Sequence, residues 1–224
     1  MKVIITGSTG MIGKAVLLEC LDHQDINEVL SISRKSLEMH HSKLKELIHA
    51  DFSEFESVKE KLTDYDAVYC CMGVSAAELK EAEYKRFTYD FTMSLAKTLY
   101  SLKPSMTLIY VSGQGSSEKG RAMWARVKGK LENDLLKLGF KQTFMFRPGG
   151  IIPKRDVQPS SKLYRMLINN LGWLLRLIKM LAPNAIVDST ETGLSMINIT
   201  KIGYSQNIIN PKDVIITANA SLAG

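Results

Sequence analysis

Three glycines recur at intervals of three in Thr6-Gly7-Ser8-Thr9-Gly10-Met11-Ile12-Gly13, after the apolar run Val3-Ile4-Ile5 and before a segment of helical period from Lys14 to Leu21. Glycine dispenses with a β-carbon where backbone must close on a diphosphate. A helix that starts there turns its unpaired first-turn N–H groups toward the anion. The spacing is looser than the G-x-G-x-x-G form, but a strand before, a helix after and a second apolar run near residue 30 supply the setting such a loop requires. Thr6 to Gly13 are therefore expected to cradle the phosphates of a dinucleotide.

The second apolar run closes on Ser33-Arg34-Lys35, with no acid where an NAD site places a carboxylate on the ribose 2′-hydroxyl. The Arg34 guanidinium suits a 2′-phosphate, and Ser33 and Lys35 add a hydroxyl and a second positive charge. This predicts NADP(H) in preference to NAD(H). Asp51 and Phe52 follow the third run and are placed to bracket an adenine, Asp51 being equally suited to cap a helix near Ser53. Cys71, Met72, Gly73 and Val74, after the fourth run, are expected where backbone passes the nicotinamide ribose.

Positioning these groups requires a sheet. Apolar runs such as Val3-Ile4-Ile5, Glu28 to Ser33, Ala67 to Met72, Thr107 to Ser112 and Thr143 to Pro148 alternate with segments of helical period. That order predicts an α/β fold, a doubly wound parallel sheet of the Rossmann type. Ala67 to Met72 is apolar at consecutive positions, the pattern of a strand covered on both faces. Residues 1–150 are expected to form the dinucleotide-binding core. After Pro148-Gly149-Gly150 the chain becomes basic and proline-punctuated, and residues 151–224 are expected as a small substrate-side lobe packed on the same domain.

With 224 residues, 45% of them hydrophobic and 23% charged, the chain can bury a core without disulfides or metals. Disordered and collagen-like classes are excluded. Cys20, Cys70 and Cys71 are an odd set without metal-ligand spacing, so neither a disulfide framework nor a metal site is expected. Met1 to Gly10 carries no long apolar segment, and a cytoplasmic compartment is expected. His23, His40, His41 and His49 are expected to be solvated.

The formal charge of +6 is unevenly spread. Phe140 to Met180 holds eight basic residues against the single acid Asp156, while the chain before it is balanced. A general affinity for nucleic acid is therefore a poor reading of the basic charge. Lys162 to Leu181 mixes apolar residues at helical spacing with basic ones. A lid over a small-molecule pocket or a core helix is favoured over a subunit contact in a homo-oligomer, and both over a membrane surface.

The glycine loop, Cys70-Cys71-Met72-Gly73, Tyr110-Val111-Ser112-Gly113, Val127 to Glu132 and Arg147-Pro148-Gly149-Gly150 occur in an order that resembles the short-chain dehydrogenase/reductase superfamily. The likeness is to an atypical, epimerase-like member similar to the Tat-interacting-protein branch. The resemblance implies hydride transfer at a nicotinamide, with Ser112 holding the substrate oxygen and Lys128 binding the nicotinamide ribose. It places Trp124 where the family has its proton-shuttling tyrosine. An indole only donates and does not ionise near neutrality, so that acid is missing. Tyr84, Tyr89 and Tyr164 are possible replacements, and packing on the stripe Val127, Leu131, Leu135 and Leu138 is an equal alternative for Trp124. Arg147, Pro148 and Gly149 are expected beside the cofactor where the sheet opens. Two functions follow: an NADP(H)-dependent oxidoreductase or epimerase-like enzyme on a small carbonyl or alcohol, or a non-catalytic NADP(H)-sensing module that regulates a protein partner.

Overall fold

A computed structural model describes residues 1–77, 79–155, 157, 179–181 and 185–220. The first apolar run is β1 (Lys2–Thr6), and the glycine loop leads from it into α1 (Met11–Asp22). There follow β2 (Glu28–Ser33), β3 (Leu44–Ile48) and β4 (Ala67–Cys70). One long helical segment then comprises α2 (Glu81–Lys85), a π-helical stretch Arg86–Asp90 and α3 (Phe91–Leu102). It precedes β5 (Thr107–Val111), α4 (Met123–Leu138), β6 (Gln142–Phe146) and β7 (Gly150–Ile152). The described chain ends with β8 (Ile186–Asp188), α5 (Ser189–Ile202), β9 (Ile208–Ile209) and α6 (Pro211–Ala218).

Seven strands form one sheet in the order β3-β2-β1-β4-β5-β6-β9, every neighbouring pair parallel. A parallel sheet needs cover on both faces, and alternation along the strands supplies two cores. Ile5, Tyr69 and Ile109 pack with Val16 and Leu17 of α1 and Met196 and Ile197 of α5. Ile4, Val68 and Leu108 pack with Leu95 and Leu99 of α3 and Leu131 and Leu135 of α4. The sheet is thus doubly wound, as the sequence predicts. Chain order reverses between β1 and β4, and a crevice opens there beyond the strand ends, the general ligand position of such sheets.

Residues 151–224, expected as a small lobe packed on the same domain, contribute both to a second small sheet and to the main one. β7 and β8 pair as a two-stranded parallel sheet, but β9 joins the main sheet beside β6. Its register, Met145 with Ile208 and Phe146 with Ile209, makes residues beyond 200 part of the core. Arg155 ties the chain after β7 to α1, donating to Glu19 at 3.0 Å and Asp22 at 2.6 Å. Of the basic apolar segment, Lys162, Tyr164, Arg165 and Arg176 lie outside the described residues. Lys179 at its end pairs with Glu191 (2.8 Å) and Asp188 (3.5 Å), the two residues of the capping box that starts α5. Among the described residues no helix is long and apolar enough to cross a membrane.

Candidate functional site

The glycine loop is built around two contacts that exclude side chains. Gly7 has φ +77°, and a β-carbon there would lie 2.6 Å from the backbone of Cys71 and Met72. A β-carbon on Gly13 would lie 2.1 Å from the Gly7 carbonyl oxygen. Gly10 N–H donates to that same carbonyl at 2.9 Å, and Gly10 caps α1 without any side-chain hydrogen bond. The first-turn amides of a helix lack intrahelical partners, so the entrance of α1 is available to an anion. Thr6 ends β1 fully buried, and Ser8 is buried with its Oγ accepting from Ser31 Oγ at 2.9 Å, which fastens the loop to β2. Met11 and Ile12 pack partly buried against the core and anchor the first turn of the helix.

A cleft runs from this loop across the ends of β2 and β4. Its walls include Gly7, Thr9, Gly10, Ser33, Arg34, Phe52, Cys71, Met72, Gly73 and Val74, all of which the sequence singles out. Arg34 is exposed and has no hydrogen-bond or ion-pair partner among the described residues. Ser33 Oγ donates to the Lys35 carbonyl at 2.6 Å, a turn that presents Arg34 to the cleft. Lys35 itself stands exposed and outside the lining. Asp51 corrects the expectation of an adenine contact: it is not in the wall, and its carboxylate accepts from Ser53 N (2.9 Å) and Ser53 Oγ (2.6 Å), bonds that hold it below the usual carboxylate range. Sequence reasoning misses Ile32, Phe87 and Phe91, the last two carried across the fold by the π-helical stretch and α3. Phe87 meets Phe91 edge-on at 5.5 Å, and Phe91 meets Phe52 at 6.1 Å, an aromatic wall suited to a purine. His49 is buried behind it, 4.9 Å from Phe55 and 2.7 Å from the Glu54 carbonyl, which corrects the expectation that it is solvated.

The register of β4 with β5, Cys70 opposite Tyr110, sets Cys71-Met72-Gly73 next to Val111 and Ser112. Ser112 is buried and its Oγ shares a hydrogen bond with Ser116 Oγ at 2.9 Å. Lys128 reaches across from α4, its Nζ 3.4 Å from the Val111 carbonyl and 5.7 Å from the centre of the Tyr110 ring. Burial pulls the Lys128 ammonium down to about 8, with Glu132 pushing the other way. Trp124 is only partly buried and belongs to neither core. Its ring covers the loop after Ser112, with Cζ3 3.6 Å from a β-carbon built on Gly113 and Cη2 3.7 Å from one on Gly115. The stripe it was expected to extend, Val127, Leu131 and Leu135, turns inward without it.

Arg147 corrects a further expectation. Its guanidinium is engaged within the protein: Nε donates to Glu132 Oε1 at 3.0 Å and Nη2 to Glu132 Oε2 and, at 3.0 Å, to the Ser116 carbonyl. Glu132 is buried, so the pair cross-links α4, β6 and the serine loop. Pro148 is buried beside it, and Gly149, with φ +65°, lies against Gln114, whose Oε1 would be 3.0 Å from a β-carbon there. Neither Tyr84 nor Tyr89 offers a free phenol. Tyr84 is buried, with burial raising its pKa, and Tyr89 donates to Asp134 at 2.6 Å.

These residues fit a dinucleotide by their own geometry: two glycines that exclude β-carbons, an uncapped helix entrance, an aromatic wall and an unpaired guanidinium. Comparison with known proteins agrees at the level of fold and family. Protein FMP52 of Candida albicans is 26% identical over 226 residues, covering 96% of this chain and 93% of its own. A UDP-N-acetylglucosamine 4-epimerase from Methanobrevibacter ruminantium, solved with UDP-N-acetylmuramic acid, superposes with a TM-score of 0.71 at 15% identity, covering 93% of this chain and 75% of its own. The Bordetella bronchiseptica enzyme WbmF in complex with NAD+ superposes with a TM-score of 0.68 at 12% identity, covering 97% and 77%. The FMP52 relatives are named mitochondrial, which overturns the cytoplasmic expectation. All three cysteines are buried, so their number carries no information on the compartment. The NAD dependent epimerase/dehydratase family matches residues 3–120, just over half of the chain, and the protein belongs to that family.

Proposed function

We propose that the protein is an NADP(H)-dependent oxidoreductase or epimerase-like enzyme acting on a small carbonyl or alcohol. The observation that carries the cofactor preference is Arg34, unpaired in the cleft wall, with no carboxylate in that wall to take a ribose 2′-hydroxyl. A 2′-phosphate gives the guanidinium a doubly bonded partner, whereas a hydroxyl does not. Thr6 to Gly13 hold the diphosphate, Phe52, Phe87 and Phe91 the purine, and Cys71 to Gly73 the far ribose. A bound nicotinamide supplies or accepts a hydride at the substrate carbon. Ser112, whose Oγ lies 2.9 Å from Ser116 Oγ, orients the substrate oxygen.

Support also comes from the solved neighbours that hold NAD+ or a UDP-sugar derivative. The motif order from Gly7 to Gly150 further supports a place beside the Tat-interacting-protein branch, and the relatives' name supports a mitochondrial address. Trp124, which cannot ionise, favours a second reading: a module that senses the dinucleotide and regulates a protein partner. Calorimetric titration with NADPH and NADH, on wild type and Arg34→Ala, followed by a carbonyl panel, tests both. NADPH preference that Arg34→Ala removes, with turnover, is the expected result. Equal affinity for the two cofactors refutes the preference, and binding without any turnover leaves the sensor.

A further inference from the structure

A ribose 2′-phosphate carries a charge of about −1.5 to −2 near neutral pH, more than the single guanidinium of Arg34 offsets. Lys35, the next residue, stands outside the cleft wall. A second cavity lies between α1 and the loop that follows Arg34, and its walls include Ser8 and Thr9 of the glycine loop, Lys14 of α1, and Ser36, Leu37 and Glu38. Thr9 also lines the cleft, so the two cavities meet there.

Lys14 closes the first turn of α1, its N–H donating to the Gly10 carbonyl at 2.8 Å. Helical side chains lean toward the N-terminus of their helix, which carries the Lys14 amine back toward Ser8 and Thr9, with which it shares the cavity. Lys14 and Thr9 are both exposed, and neither side chain has a hydrogen-bond or ion-pair partner among the described residues. That first turn contains no acidic residue and no side-chain cap. A cation there opposes the helix dipole, a conflict that an anion bound at the loop removes. The opposite wall is fixed in place: Glu46 of β3 accepts from Ser36 Oγ at 3.0 Å and from Leu37 N at 2.7 Å, and Ser36 Oγ accepts from Glu38 N at 3.1 Å. Glu38 turns the chain with φ +52°, and its carboxylate, also without a partner among the described residues, is the anion in that cavity.

We propose that Lys14 is the second cation of the 2′-phosphate site, closing on the phosphate from α1 while Arg34 closes on it from the end of β2, with the Thr9 hydroxyl between them. The proposal rests on reading the cleft as an NADP(H) site and adds the residue that completes its charge. Two cations and a hydroxyl neutralise and orient a phosphate monoester, whereas a ribose 2′-hydroxyl gives neither cation a charge to pair with. Glu38 acts in the opposite direction, since its carboxylate repels the same phosphate. The preference between the two dinucleotides is therefore set by Arg34 and Lys14 against Glu38. The diphosphate belongs elsewhere, at Gly7 and Gly10 in the wall of the cleft, and these three side chains are expected to act on it far less.

Calorimetric titration of the full chain with NADPH, NADH, adenosine 2′,5′-bisphosphate and 5′-AMP tests the assignment on wild type, Lys14→Met, Lys14→Arg and Glu38→Gln, with folding checked by thermal unfolding. The bisphosphate and the monophosphate differ only by the 2′-phosphate, so they report that group without the nicotinamide or the diphosphate. Wild type is expected to prefer NADPH to NADH. Lys14→Met is expected to weaken NADPH and the bisphosphate about 5- to 30-fold, the scale of a charge-assisted hydrogen bond at an exposed site, and to leave NADH and 5′-AMP within about twofold. Lys14→Arg, which keeps the charge, is expected to retain most of the NADPH affinity. Glu38→Gln is expected to tighten NADPH by about two- to fivefold, the scale of an exposed charge interaction. Equal losses for NADPH and NADH in Lys14→Met would put the amine on the diphosphate and overturn the proposal, as would unchanged affinity for NADPH and the bisphosphate. A loss of NADH binding in Glu38→Gln would assign Glu38 to the ribose hydroxyl and overturn it too. Wild type that binds both dinucleotides equally, or neither, overturns the cofactor reading and the proposal with it. That outcome is read on wild type alone and is thus distinct from a failure of Lys14.

Discussion

Gly13 and Gly7 meet so closely that a β-carbon on Gly13 would stand 2.1 Å from the Gly7 carbonyl oxygen. The contact fixes the first turn of α1 against the loop, while Gly7 is fixed in turn against the exit of β4, where its own β-carbon would meet Met72 N at 2.6 Å. Three segments of the cleft are thus held by the absence of two side chains. Gly13→Ala is expected to cost about 1–3 kcal/mol through overpacking and to weaken NADPH binding at least tenfold. Gly73, also in the cleft wall, has open space where a β-carbon would go, so Gly73→Ala is expected to leave stability unchanged. Thermal unfolding with and without NADPH separates the two, and equal behaviour of both variants would refute the clamp.

Arg34 projects into the cleft from a turn closed by Ser33 Oγ on the Lys35 carbonyl at 2.6 Å. Charge-assisted hydrogen bonds are worth about 1.5–3 kcal/mol, so Arg34→Ala is expected to weaken NADPH by roughly 10- to 100-fold and to leave NADH unchanged. Lys35→Ala, outside the wall, is expected to change NADPH affinity less than about threefold, in keeping with the small worth of exposed charge pairs. Side-by-side titration of the two variants decides it, and a larger effect at Lys35 would move the phosphate site.

The parts legible in the sequence are those governed by local rules. Consecutive apolar residues mark strands buried on both faces, and Gly7 and Gly13 are readable because a missing β-carbon is itself a local signal. Phe87 and Phe91 escape notice because they enter the cleft from a segment joined to it only by tertiary packing. Arg147 misleads for the same reason. Its position after β6 points to the open edge of the sheet, but a buried carboxylate fifteen residues earlier, on the face of α4, takes the guanidinium. Asp51 is misread in the opposite direction, since a local turn with Ser53 satisfies it before any ligand can. Trp124 shows the limit of periodicity: it shares the helical stripe of Val127 and Leu131 by spacing, yet at the first turn of α4 the stripe has already run past the core and onto the serine loop.

The Glu132–Arg147 pair joins the middle of α4 to the end of β6 and holds the Ser116 carbonyl as well. Removing one partner leaves a buried charge uncompensated, at a cost of about 3–5 kcal/mol. Glu132→Ala and Arg147→Ala are each expected to lower the urea midpoint sharply. Glu132→Gln combined with Arg147→Met, which removes both charges and keeps most of the volume, is expected to recover much of that loss. A double variant as unstable as the sum of the singles would mean that the residues act independently.

Lys128 links stability to pH with a definite sign. Its folded pKa, about 8, lies below the usual lysine range because burial disfavours the ammonium. Between that value and about 10.4, the reference for an unfolded lysine, the unfolded chain binds more protons than the folded one, and stability therefore rises with pH. Below about 8 both states are protonated and the folded protein bears the full cost of burying the charge. Above about 10.4 both are neutral and the cost vanishes. Lys128→Met, with a neutral side chain of similar length, is expected to be more stable than wild type at pH 7. The advantage shrinks through the window and is gone near its upper end. Paired urea titrations at about pH 7, 8.5 and 10 cancel the other groups that titrate there, since both proteins carry them. An advantage that does not change with pH would show that Lys128 is buried no differently from a surface lysine.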